Sequence, residues 1–236
     1  MTTSERLSLT LAPLVGSAGG GLWDHPQIAR IYPEYLATMH DIVRATVPEL
    51  EQALERSRKL AAAGDPVAPG LVAYLQGHLP EEQGHAEWLL EDLEELGVGR
   101  QQVQARWPSR AVAELKGAQA HWIASGHPVS LLGHLWVMEG FPPEPAEVEA
   151  LQARTGLPPG AFRFLRRHAV LDRGHAADLA AALDALPLTP RHERMVGLSA
   201  LQTLDALGSV FADVVTGVSE SRAMQGNLTG RRGSVG

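Results

Sequence analysis

The sequence feature that most constrains the fold is a helical pattern in which polar side chains share an apolar face. His168, Asp172 and His175 are spaced i, i+4 and i+7, so at about 100° per residue they project from one side of a helix. Four apolar residues keep the same register: Phe162, Leu165, Leu179 and Leu183. The polar trio therefore lies in the stripe that faces the core, where unpartnered polar groups are costly. A metal ion is the usual partner for histidine and carboxylate gathered in this way.

A second segment repeats the pattern. His78, Glu82 and His85 are again spaced i, i+4 and i+7, on a leucine stripe that runs through residues 71–97. Two inward-facing copies of one pattern are hard to obtain by chance. Pro80 lies within this copy, and we expect it either to kink the helix or to mark its start, which leaves the direction of His78 open.

A third polar residue, Glu139, ends an otherwise apolar helical segment and precedes a glycine. Taken singly, each of these residues has an ordinary explanation as a hydrogen-bonded core histidine, a helix cap or a solvated carboxylate. Together they offer three carboxylates and three imidazoles from three predicted helices. Helical bundles build di-iron and di-manganese sites in this way, and oxygen and nitrogen ligands without sulfur favour iron or manganese. The predicted ligands are Glu82, His85, Glu139, His168, Asp172 and His175, with His78 as an additional candidate, whereas Glu81 is assigned to the solvated face.

Composition excludes several classes of protein. The chain has no cysteine, so disulfides, thiolate metal sites and cysteine nucleophiles are ruled out. The net charge is −7 with mixed signs, which argues against a nucleic-acid partner. No apolar run approaches the roughly 18 residues of a membrane span, so we expect no membrane partner and take the cytoplasm as the default location.

The helical periodicity, with no alternating β-branched runs, predicts an all-α bundle of seven to eight helices. We expect a flexible N-terminal arm over residues 1–21, one helical domain over 22–224 and a disordered tail over 225–236. The pattern is compatible with a homodimer but does not specify the oligomeric state.

Three motifs in this order resemble those of the heme-oxygenase-like di-iron oxidases, which are also called iron-containing redox enzymes. The motifs are PEEQGHAEWLLEDLEELG, WVMEG and HAVLDRGHA, and the resemblance covers roughly residues 25–220. It implies a heme-oxygenase-like fold and two iron ions, or manganese, with O2 as co-substrate and Glu139 in contact with both metals. In some branches of the family a carboxylate lies seven residues before the first histidine. Here that position is His78, while Glu82 matches the ExxH form seen in a branch that acts on fatty acids.

The predicted function is therefore an O2-activating oxidase or oxygenase acting on a small organic substrate, such as a fatty acid, an amino acid or a natural-product intermediate. The reaction type is left open among oxidative C–C cleavage, desaturation and N-oxygenation. The alternatives are a heme oxygenase-type enzyme, a cofactorless quinone-synthase-like enzyme of the same fold, and a non-catalytic iron-binding helical protein. Thiaminase-II relatives use a cysteine, which this chain lacks.

Overall fold

The computed structural model describes residues 1–19 and 21–230, and for residues 17, 18 and 218–230 it describes the backbone alone. The predicted all-α class is confirmed, and no strand occurs within those ranges. In chain order the helices are α1 (Thr3–Ala18), α2 (Ile28–Val43), α3 (Thr46–Ala62), α4 (Ala68–Glu81), α5 (His85–Glu95), α6 (Arg100–Gln104), α7 (Arg110–Ser125), α8 (Leu131–Glu139), α9 (Pro145–Thr155), α10 (Arg163–Ala185) and α11 (Pro190–Gly230). Short 3-10 turns precede α8 and α10, at Pro128–Ser130 and Pro159–Phe162.

The N-terminal segment differs from the flexible arm that the sequence predicts. Helix α1 packs against α10 and α11, and it buries Leu7 and Leu11. The Ser4 amide and hydroxyl both donate to the carboxylate of Asp184 on α10, at 2.9 and 2.7 Å. The amphipathic spacing of Leu7 and Leu11 gives this segment an apolar side, which the groove between α10 and α11 covers.

The predicted tail over residues 225–236 begins within α11, whose backbone continues to Gly230. Its remainder, residues 231–236, lies outside the described part of the chain.

The segment over residues 71–97 is two helices rather than one. Helix α4 continues through Pro80, and the chain turns at Gly84, which adopts a left-handed φ of 89° before α5 begins at His85. Glycine adopts this conformation without the steric cost that other residues incur. The break in the helix that was expected at Pro80 therefore occurs four residues later, at Gly84. His78 lies on α4 with its side chain buried.

Helix α8 lies unusually close to α11. A Cβ atom placed on Gly133 would be 2.0 Å from the Val196 carbonyl oxygen and 3.0 Å from the Ala200 amide nitrogen. The missing side chain thus allows the backbones of α8 and α11 to approach this closely.

Among the described residues, Pro190–Gly217 of α11 is long and apolar enough to cross a membrane by length and composition alone, contrary to the sequence expectation. Only 39% of its most apolar window is buried. Two polar residues on the inner side, Ser199 and Thr203, hydrogen-bond to Gln119 of α7 within the bundle. A helix that packs on a bundle core can meet the same criterion, so this property alone does not identify a membrane span.

Candidate metal centre

Four helices bring the predicted ligands into one buried cluster. Helix α4 contributes His78, Glu82 follows its last residue, and His85 begins α5. Helices α8 and α10 contribute the others, and every member except the half-buried His168 is buried. Five atoms of the cluster are shielded from solvent and have no hydrogen-bond partner: His78 Nε2, His85 Nδ1, Glu139 Oε2, Asp172 Oδ1 and His175 Nδ1. Buried polar atoms normally have partners, so their convergence fits a metal site.

The four imidazoles form two pairs. The rings of His78 and His175 are 5.0 Å apart between centroids, and those of His85 and His168 are 4.9 Å apart. Both pairs are edge-to-face. The rings of His85 and His175, which belong to different pairs, are 6.4 Å apart. The four imidazoles are thus grouped as two adjacent pairs.

Glu82 is the carboxylate that reaches both pairs. Its Oε2 atom is 3.3 Å from His85 Nδ1, and its Oε1 atom is 3.7 Å from His175 Nδ1 and 3.9 Å from His78 Nε2. Glu139 contacts His78 at 3.3 Å and His175 at 3.8 Å. By these contacts Glu82, more than Glu139, occupies the position between the two pairs.

Asp172 and His168 complete the cluster from α10. Asp172 Oδ1 is 3.5 Å from His175 Nδ1. His168 Nδ1 donates to the Phe164 carbonyl oxygen at 2.9 Å, since a carbonyl can only accept. In neutral His168 the lone pair is therefore on Nε2, and metal-binding histidines are commonly oriented by a backbone carbonyl in this way.

The buried carboxylate of Asp92 connects α5, which begins with His85, to α10, which contains His168. Asp92 on α5 accepts from the backbone amides of Arg163, at 3.2 Å, and Phe164, at 2.9 Å. These amides belong to the first turn of α10, which has no other partner for them within the helix. Asp92 is fully buried, and its burial raises the pKa of its carboxyl to about 6 despite these amides. The cap fixes the start of α10 against the helix that begins with His85.

The pKa of His168 is lowered in the cluster, whereas the pKa values of His175 and His78 are raised. Burial lowers the pKa of His168 below its usual range, which keeps the ring neutral. The contact with Asp172 raises the pKa of His175 to about 9, with Glu139 and Glu82 adding to the effect. Burial alone would lower the pKa of His78, but Glu139 and Glu82 outweigh it and the pKa is raised. Without a metal, the neighbouring carboxylates thus favour the protonated forms of His78 and His175.

The pKa values of the two glutamates, Glu139 and Glu82, shift in opposite directions. Burial raises the pKa of Glu139, an effect that His78 only partly offsets. Burial acts in the same direction on Glu82, but the neighbouring histidines outweigh it and the pKa of Glu82 is lowered. A divalent cation would replace the histidine protons as the source of positive charge.

Comparison with solved structures shows the fold. A domain from Shewanella denitrificans with a heme oxygenase-like fold matches with a TM-score of 0.75 and 19% identity, over 94% of this chain and 92% of that one. A TenA homologue from Pseudomonas syringae matches with a TM-score of 0.64 and 13% identity, over 90% and 92%. Heme oxygenase from Leptospira interrogans matches with a TM-score of 0.62 and 16% identity, over 90% and 100%. A search of the curated proteins found no match.

The family model described as iron-containing redox enzyme matches residues 54–208. The chain belongs to this family. The match spans all seven candidate ligands, and the heme-oxygenase-like fold predicted from the sequence is confirmed.

Three further residues of this iron-containing redox enzyme, which the sequence pattern does not identify as ligands, lie against the cluster. Glu81, which was assigned to the solvated face, places Oε2 3.7 Å from His78 and 3.6 Å from His175. Its spacing of three residues after His78 was the available signal. Tyr74 stacks on His78 at 5.4 Å with its hydroxyl buried and unpartnered, and Trp88 packs on His85 at 4.2 Å.

A cleft of about 390 Å³ lies elsewhere in the enzyme, between α2, the start of α7 and α11. Its polar lining combines opposite charges, and none of its lining residues is a candidate ligand. The charged residues of this cleft are Arg30, Glu34, Asp41, Arg106 and Asp213.

Proposed function

We propose that this iron-containing redox enzyme is a non-heme di-iron oxidase or oxygenase that uses O2 to oxidise a small organic substrate. The observation that carries the proposal is the set of five buried, unpartnered ligand atoms that converge from four helices. Their arrangement as two imidazole pairs with a carboxylate between them supports two metal positions rather than one.

The donor chemistry fits iron. Each imidazole pair supplies two nitrogen ligands, and the carboxylates supply the oxygen ligands that ferrous and manganous ions also accept. His78 and His175 would hold one ion with Glu139, and His85 and His168 would hold the other. Glu82 would be a ligand common to both ions, and Asp172 would bind the same ion as His175. When bound, two ferrous ions supply two electrons to O2 and so generate the oxidising power that acts on the substrate.

The chain's own residues prepare this chemistry in two ways. The Phe164 carbonyl oxygen leaves the lone pair of neutral His168 on Nε2, and Asp92 caps the start of α10, so this ring is oriented before metal arrives. Burial of Glu139 and Asp172 excludes water from the ligands, which strengthens every charge interaction there and protects a reactive oxidant from side reactions.

The main rival is a heme-degrading enzyme, because a heme oxygenase shares the fold. The buried carboxylates argue against it, since Glu82, Glu139 and Asp172 would face an apolar porphyrin and lose their histidine partners. A second rival is an iron-binding protein without catalysis, for which the same ligands would suffice.

The deciding experiment loads apo protein anaerobically with Fe(II), measures iron per chain, and then adds O2 while recording oxygen consumption and visible absorption. We expect about two tightly bound irons per chain and a discrete uptake of O2 that a substrate accelerates. Storage of many irons per chain, or tight binding and degradation of hemin, would contradict the proposal. We further propose a cytoplasmic enzyme whose partner is a small molecule rather than nucleic acid or a membrane.

A further inference from the structure

His78 and His175 each present both ring nitrogens to carboxylates, and the two nitrogens face opposite sides. On the inner side, His78 Nε2 faces Glu139 and Glu82, and His175 Nδ1 faces the same two carboxylates. On the outer side, His78 Nδ1 and His175 Nε2 both face Glu81. Each of the two rings therefore faces Glu139 and Glu82 with one nitrogen and Glu81 with the other.

The outer nitrogens of His78 and His175, together with the Glu81 carboxylate, have the spacing of a metal site. Glu81 Oε2 lies 3.7 Å from His78 Nδ1 and 3.6 Å from His175 Nε2, and ligand atoms of the three residues lie within 4.8 Å of one another. Ligands bound to one metal at about 2.0–2.2 Å are separated by roughly 3–4 Å, so little adjustment is needed. The Glu81 side chain is 52% exposed, while the imidazoles are 3% and 7% exposed. This position is thus open to solvent on one side and continuous with the buried cluster on the other.

We propose that His78, Glu81 and His175 form an entry site, which captures a divalent metal ion from solvent and passes it to the buried centre. The proposal adds a third metal position to the proposed di-iron function and assigns Glu81 a role.

The reason for a transfer is the chemistry of neutral imidazole, which has one lone-pair nitrogen and one N–H. Each ring can therefore bind metal on its outer or its inner nitrogen, but not on both at once. When an ion is captured, His78 Nδ1 and His175 Nε2 each release their proton to solvent and bind the ion, with Glu81 as the oxygen ligand, while the inner nitrogens keep their protons. When the ion moves inward to His78 Nε2 and His175 Nδ1, each ring's proton transfers through water from the inner to the outer nitrogen.

After the transfer, Glu81 has a second role. The outer nitrogens then carry the N–H groups, and Glu81 lies in position to accept from both. A carboxylate that accepts the second N–H of a metal-binding histidine fixes the ring and increases its basicity. Glu81 is therefore a ligand during loading and a positioning residue afterwards.

The test follows loading of the apo protein with Co(II), whose visible absorption reports coordination and which does not require O2 chemistry. The parent is compared with Glu81→Gln and with Asp178→Asn, a matched control. Asp178 is an exposed carboxylate three residues after His175 on α10, and it belongs to neither group of candidate ligands.

We expect Glu81→Gln to slow loading at limiting Co(II) about tenfold, the size of change typical when a carboxylate beside a metal ligand is removed. Its final number of tightly bound ions and its melting temperature without metal should equal those of the parent, and Asp178→Asn should load at the parent's rate. Parent-like loading of Glu81→Gln overturns the proposal. Equal slowing of both variants overturns it too, because charge alone then accounts for the effect.

Complete loss of the tightly bound ions in Glu81→Gln also overturns the entry role, since Glu81 would then be a permanent ligand. The outcome for the di-iron function is separate. A parent that binds Co(II) but does not react with O2 when loaded with Fe(II) contradicts only the oxidase. A parent that binds no metal contradicts both.

Discussion

His78 Nε2 on α4 and Glu139 Oε1 on α8 lie 3.3 Å apart inside the bundle. Both side chains are buried, and His78 Nε2 is shielded from solvent. Glu139 and Glu82 outweigh burial and raise the pKa of His78, which favours the protonated ring when metal is absent, and a cation would supply the positive charge when it binds. The pair therefore links metal occupancy to the stability of the fold.

Metal binding should stabilise the protein. The ligands are assembled only in the folded state, so an ion present at about 100 times its dissociation constant adds about 2.7 kcal/mol to the free energy of unfolding. Differential scanning calorimetry with and without Fe(II) or Mn(II) measures the shift in melting temperature. His85→Ala and His175→Ala should lose most of it, whereas His121→Ala, at an exposed position on α7, should keep it. Equal shifts in all four proteins would show that the metal binds elsewhere.

The apo protein should lose stability as the pH rises from about 6.5 to about 9. The pKa of His175 is raised to about 9 by Asp172, whereas an unfolded histidine titrates near its ordinary value of about 6.5. The folded state thus binds the proton more tightly, and this contribution is complete below about pH 6.5 and absent above about pH 9. Urea unfolding of apo parent and His175→Gln between pH 6 and 10 measures it. The difference in unfolding free energy should shrink with pH, and a constant difference would be inconsistent with the raised pKa.

Gly133→Ala should destabilise the bundle by about 1–3 kcal/mol, the usual cost of overpacking. The added methyl group overlaps the Val196 carbonyl oxygen and forces α8 away from α11. Gly117→Ala is the matched control, because it is also a helical glycine and has no atom within 4 Å of the added carbon. That control should be neutral or stabilised by about 0.5–1 kcal/mol. Chemical denaturation distinguishes the two, and similar effects for both glycines would contradict the close approach of α8 and α11.

Lys116→Met should destabilise the protein at pH 7 by about 3–5 kcal/mol, the range for an ion pair broken inside a protein. Lys116 Nζ lies 2.7 Å from Glu49 Oε2, and the two side chains are 12% and 8% exposed. The variant leaves the Glu49 carboxylate buried without its cation, and burial already raises the pKa of Glu49.

Adding Glu49→Gln to Lys116→Met should recover part of the loss, because no buried charge remains. The comparison uses unfolding free energies of the parent, the single variant and the double variant. A double variant that is less stable than the single one would mean that Glu49 has another partner, such as His134, whose Nε2 atom is 3.9 Å from Glu49 Oε2.

The sequence predicted the fold class and the helix faces because helical periodicity is a local property. His168, Asp172 and His175 share a face by their spacing alone, and the apolar residues around them identify that face as the inner one. Helix α10 indeed buries Asp172 and His175 on the side of its leucines. The residue types, histidine and carboxylate without cysteine, likewise indicated metal binding from the sequence alone.

Local spacing was insufficient where the chain changes direction. The i, i+4 and i+7 pattern of His78, Glu82 and His85 describes a continuous helix, but a left-handed Gly84 divides it. These residues still converge, since the turn at Gly84 leaves His85 facing the carboxylate of Glu82. A single glycine within a helical pattern does not reveal whether the backbone will turn there.

What the sequence by itself determined is therefore the inventory of candidate ligands and the inward direction of most of them. Only the tertiary structure decided that the imidazoles meet as two pairs, that Glu82 lies between the pairs and that Glu81 reaches His78 and His175. These are distances between helices that are far apart in the chain. Such distances depend on how closely the backbones pack, as at Gly133, and on caps between helices, as at Asp92. Side-chain periodicity contains no information about either.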